Sequence, residues 1–246
     1  MSLFDKIRWT LRSLGFIKGN PIPADLASQP GVQILPIDPD QPSSFGYKIS
    51  WITVRTEDAA SVATALALAK PRPACWHEGI TLAYEYESPY VFLTPPIDGW
   101  TCAVGHNVAA RWVEKWFTPL YEEFICKLSQ QFGVACYFSS HRVSSSYVWM
   151  RSDAGSLTRS FGYSDSEYLF DTGIPTPEER RLGLDAWSEE HWPDEDDVIN
   201  IAGAWSIDPI TLDDRKEPRS KGILGEIHPK PPGFAELCRQ TRHPNR

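Results

Sequence analysis

Of the 246 residues, 41% are hydrophobic and 12% aromatic, enough to bury a sizeable core and to exclude a disordered tail. The formal net charge of −8 excludes a general nucleic-acid binder, whose phosphate contacts need a basic face, and suits solubility or a basic protein partner. Five cysteines, odd in number and without a framework spacing, read as reduced thiols of a cytoplasmic protein, and no stretch approaches the roughly 20 apolar residues of a membrane span.

The chain opens with Leu3, Phe4, Ile7, Leu11 and Leu14 at helical spacing, interleaved with Lys6, Arg8, Arg12 and Lys18. This pattern predicts an amphipathic helix packed on a domain and lacks the features of a secretory signal. The stretch 19–46, dense in proline, serine and glycine, reads as an extended arm. Residues 1–46 are therefore set apart from a single domain expected over 47–228. YKISWITVR (47–55) has the β-branched and aromatic character of a strand. Thr56 then caps a helix with Val62, Leu66 and Ala69 along one face, stopped by Pro71. CWHEG (75–79) reads as a loop and YVFLT (90–94) as a second strand. In VFLTPPIDGWTCAVG (91–105) two prolines and an Asp-Gly turn join that strand to a returning one. Gly99 permits positive φ, and Trp100 is expected to be buried beneath the turn.

Trp112, Trp116, Leu120, Phe124 and Leu128 recur at four-residue intervals over 108–131, with Thr118-Pro119 dividing the run into two helices or kinking one. Strands are expected at 134–143, 146–152 and 156–164, the last two joined by an Asp153-Ala154-Gly155 turn. Leu157, Arg159, Phe161 and Tyr163 share one face of the third strand, which is apolar apart from Arg159. The remainder reads as helix and loop. Thr176, Pro177 and Glu179 spell a capping box. A further helix begins at Pro193, with Val198, Ile199, Ala202 and Trp205 as its buried stripe. The basic tail occupies 229–246. This order is α+β: a mostly antiparallel sheet with helices packed on one side and a helical C-terminal part.

Candidate chemistry is sparse. The chain has no phosphate loop, dinucleotide fingerprint, nucleophile elbow or paired-histidine zinc helix, so neither cofactor nor metal is expected. Cys75, His77, Cys102 and His106 offer two thiols and two imidazoles, but at spacings unlike standard ligand pairs. His141 and Arg142 at a strand end, with His106, make an alternative enzyme site, a hydrolase acting on a phosphorylated or nucleotide-like substrate. Cys136 could serve as a nucleophile beside His141, although nothing local lowers its pKa. The densest surface of carboxylates and aromatics is Glu189, Glu190 and Trp192 followed by Asp194, Glu195, Asp196 and Asp197. One or two acids satisfy a helix dipole, so four leave a surplus for a partner, and these seven residues are the expected partner-binding surface.

Four segments in order, VFLTPPIDGW, FGVACYFSSHRV, the VWMRS hairpin with its following Arg and Tyr, and WPDEDDVINIAGAWSIDP, resemble a family of largely uncharacterised bacterial cytosolic proteins. The resemblance runs from Tyr47 to Ile227. In being acidic, tryptophan-rich and compact, such proteins are similar to immunity proteins, which neutralise secreted toxins by direct binding. The resemblance implies a binding protein that needs no chemistry of its own, with a basic toxin domain as partner. It brings no catalytic residues.

Overall fold

The computed structural model describes residues 39–85, 88–109, 118–186 and 192–227. The expected N-terminal helix, most of the arm, residues 110–117 of the tryptophan-rich helix, Glu189, Glu190 and the basic tail lie outside these ranges.

Nine strands are found among the described residues. They are β1 (Ser50–Val54), β2 (Ala69–Ala74), β3 (Tyr90–Leu93), β4 (Thr101–Val104), β5 (Val134–His141), β6 (Ser146–Asp153), β7 (Ser156–Ser164), β8 (Glu167–Thr172) and β9 (Gly222–Glu226). They form one sheet in the order β2-β9-β3-β4-β1-β5-β6-β7-β8, each neighbouring pair antiparallel. Five α-helices accompany them: α1 (Ala59–Ala65), α2 (Trp76–Ala83), α3 (Thr118–Phe132), α4 (Pro177–Leu182) and α5 (Glu195–Trp205).

The expected antiparallel α+β architecture is present, but the helices do not share one side. Strand alternation sends Ile52, Val54, Ala135 and Tyr137 to a face covered by Val62 and Leu66 at α1 and by Phe124, Ile125 and Leu128 of α3. Trp51, Phe92, Phe138 and Trp149 point the other way, against Trp76 of α2 and Val198, Ile201 and Trp205 of α5. The central strands are apolar on both faces, so both must be covered. Nor is the C-terminal part wholly helical. It adds edge strand β8 and, after α4 and α5, sends β9 back between β2 and β3.

Two other differences have local causes. Asp58, not Thr56, is the cap of the first helix, its carboxylate accepting from the Ser61 N–H at 3.0 Å. The helix ends at Leu66, and Pro71 and Pro73 fall in β2, an edge strand where a missing N–H can face outward. CWHEG is the start of α2 and not a loop. Its first N–H groups are satisfied from a distance, by Asp40, whose carboxylate accepts from Trp76 at 2.6 Å and His77 at 2.8 Å.

The 91–105 stretch is a hairpin. Ile97 and Trp100 exchange backbone hydrogen bonds of 2.8 and 2.9 Å across Asp98 (φ 51°) and Gly99 (φ 78°), two left-handed residues whose twist matches that of the strands. Trp100 is buried, with the Arg55 guanidinium over its ring. Trp100→Ala should lower stability by about 3–5 kcal/mol, as deletion of a large aromatic from a packed site does. An unchanged thermal midpoint would place the ring outside the core.

Arg159, the one charge on the apolar face of β7, finds its partner in the capping box of α4. Glu179 Oε1 accepts from Arg159 Nε at 2.8 Å and from the Trp149 indole at 2.9 Å, while Oε2 accepts from the Thr176 N–H at 2.7 Å. Arg159 Nη1 also reaches the Thr172 carbonyl at 3.0 Å and the Asp171 carboxylate on β8. Arg159 and Glu179 are 1% and 0% exposed, so neither charge can fall back on water. Glu179→Ala should therefore destabilise by about 3 kcal/mol, because it leaves the buried guanidinium with only the half-exposed Asp171 as counter-charge. The double variant Arg159→Met/Glu179→Leu should lose less than the single one in urea unfolding. Equal losses would contradict this reading.

Candidate functional site

The β5–β6 connection separates two groups of candidate residues. β5 ends at His141, a single 3-10 turn covers Arg142–Ser144, and Ser145 at φ 40° completes the reversal. His141 continues the alternation of Tyr137 and Ser139 toward the α3 face, where it lines a cavity with His106. Arg142 turns to the other side, its Nη1 lying 3.3 Å from Glu195 Oε1 at the start of α5. His106 and His141 are thus brought together, their ring centroids 5.8 Å apart, and Arg142 is directed away from them.

The carboxylates of the acidic cluster all have partners within the chain. Asp194 caps α5, accepting from the N–H groups of Asp196 at 2.8 Å and Asp197 at 3.0 Å, and Asp197 returns the bond to the Asp194 N–H at 3.0 Å. Glu195 pairs with Arg142. Asp196 accepts from the Tyr47 hydroxyl at 2.9 Å, and this bond is the main reason that the phenol's pKa is pushed up to about 12. The surplus beyond the one or two acids a helix dipole needs is therefore engaged within the chain, by Arg142 and Tyr47. Asp194 and Asp196 remain exposed, Glu195 is partly covered and Asp197 is buried.

Aromatic rings surround these acids. Trp192 lies stacked against Tyr163 at 6.0 Å, and Tyr168 of β8 meets Tyr163 edge-on at 5.7 Å. Trp192 and Tyr168 are 46% and 47% exposed, and Tyr47 adds a third accessible ring. Sequence reading found Trp192 but missed Tyr47, which reaches this surface through Asp196, and Tyr168, which reaches it through Tyr163.

His106 Nε2 lies 3.4 Å from the Tyr84 carbonyl. Burial lowers the pKa of both histidines below the usual 6.5, and for His141 the neighbouring His106 adds to the effect. The cysteine readings do not gain from the fold. Cys75 caps α2 with its sulfur 3.5 Å from the Glu78 nitrogen, and Cys102 is buried with its pKa pushed up to about 12. Cys136 is likewise raised to about 12 by burial and faces away from His141, on the opposite side of the sheet. Among the described residues no group of three His, Cys, Asp or Glu side chains could hold a metal ion. Nor is any helix among them long and apolar enough to cross a membrane.

No family model, curated protein or solved structure matches this chain. The residues and their geometry are thus the basis for any functional reading.

The histidine pair predicts a pH response. A histidine whose pKa is lower folded than unfolded binds its proton more readily in the unfolded chain, so stability is full above about 6.5. It should decline as the pH falls from there through the lowered native values. The double variant His106→Gln/His141→Gln should flatten the thermal midpoint between neutral and mildly acidic buffer. An equal decline in both proteins would assign the effect to other groups.

Proposed function

We propose that this protein is a cytoplasmic binding protein of the immunity type, which covers a basic toxin domain with the aromatic and acidic edge formed by β8 and the start of α5. The observation that supports this reading is the set of exposed rings, Trp192, Tyr168 and Tyr47, on the side of the sheet that also carries the exposed Asp194 and Asp196. Large aromatics supply the anchoring contacts of protein interfaces, and carboxylates around them steer a cationic partner and fix its orientation. The net charge of −8 acts in the same direction at longer range. Binding alone would neutralise a toxin, so the function requires no catalytic group.

The test begins with a partner captured from the native host and with rescue of that partner's toxicity by co-expression. Trp192→Ala with Tyr168→Ala should weaken binding by about 30-fold or more, the effect of losing interface anchors. Asp196→Lys should slow association and reduce its salt dependence, while leaving intact the Asp194–Asp197 cap that replacement of all four acids would destroy. Unchanged affinity in both folded variants would reject this surface.

A further inference from the structure

The cavity on the α3 face, about 370 Å³ in volume, lies on the far side of the sheet from the acidic edge and plays no part in the reading above. Its size falls in the lower part of the range for small-molecule sites, room for one or two rings and not for a polymer. We propose that it is a binding site for a small uncharged ring compound carrying several hydroxyl groups, the chemistry shared by a nucleoside and a pyranose sugar.

Three features of the wall lead to this class. The first is its density of hydroxyls. Ser50, Ser139 and Ser146 are only 5%, 8% and 4% exposed, and the phenols of Tyr121 and Tyr137 line the same space. Register brings them together, since Ser50 lies opposite Ser139 and His141 opposite Ser146 across neighbouring strands. Ser50 and Ser139 share one hydrogen bond of 2.9 Å, and Tyr137 joins them and Tyr121 in one network. Each hydroxyl has one donor and two lone pairs, so four hydroxyls joined by four bonds spend their donors on one another and keep unused lone pairs that can accept from the hydroxyls of a guest.

The second feature is charge. Among the described residues the lining includes no Asp, Glu, Lys or Arg, and Arg142, which follows His141 in the chain, is held by Glu195 on the other side. A phosphate or carboxylate entering here would lose its hydration without gaining a counter-charge. Burial keeps the two imidazoles inclined to the neutral form, in which each has one donor and one acceptor. A neutral His106 that donates Nε2–H to the Tyr84 carbonyl keeps Nδ1 as an acceptor. The third feature is the apolar side formed by Val148, Met150 and Phe170, a surface for the hydrophobic face of a ring.

The test uses the full chain at neutral pH and follows the imidazole carbon-bound proton resonances of His106 and His141 by NMR. Adenosine and uridine form one arm, glucose and galactose the second, and inorganic phosphate the charged control. One neutral arm should shift both resonances saturably and so identify the source of the ligand, whereas phosphate should leave them in place. Ser139→Val, which removes a hydroxyl while keeping a strand-forming residue, should weaken that binding about fivefold or more. If this variant fails to fold, the wild-type titration still decides. Absence of a shift with all four neutral compounds, or a shift with phosphate alone, would overturn the proposal.

Discussion

The fold depends on one buried ion pair. Without Glu179, the buried Arg159 would keep only the half-exposed Asp171 as counter-charge, and without Arg159 the cap of α4 would enclose an unneutralised carboxylate. The same carboxylate fixes the indole of Trp149 on β6, and Thr176 accepts from the indole of Trp205 on α5 at 3.3 Å. Through Thr172 and Asp171 the guanidinium also fastens β8 to the sheet. Three strands and two helices thus meet at one charged centre. It positions both the strand carrying Tyr168 and the helix bearing the acids.

The reversal after β5 has a similar dividing role. Adjacent strand residues point to opposite faces, so a His-Arg pair at a strand end cannot converge on one substrate without a twist of the backbone. Here the 3-10 turn completes the separation. Arg142 serves the acidic edge by neutralising Glu195, and His141 serves the cavity. Two neighbouring residues that suggest a single catalytic unit therefore belong to two surfaces, one an acidic edge, the other a hydroxyl-lined cavity.

Much of the architecture was legible because its signals are local. The Asp-Gly turn before Trp100, the Thr176–Glu179 box and the period-two face of β7 each encode their structure within a few residues. What escaped is determined at long range. α2 depends on Asp40, far upstream, for its first N–H bonds. β9 forms because β2 and β3 leave a gap that only a returning chain can fill, and its GILGE sequence has little strand character of its own. β2 was hidden by its prolines. At the site, the clustered acids and His141 were visible as residues, but their partners were not. The cavity serines resemble those of any solvated strand face, since a sequence does not reveal which face another element will cover.

The two margins of the sheet are unlike. β2 ends one side with Pro71 and Pro73, which cannot donate to an added strand, whereas β8 ends the other without a proline and with most of its side chains exposed. Among the described strands, the β8 margin is thus the one suited to accept an added strand. If two copies joined along β8, both outward margins would be proline-blocked β2 strands, and association would stop at the pair. The asymmetry thus permits strand addition by a partner while preventing the open-ended stacking that leads to fibres.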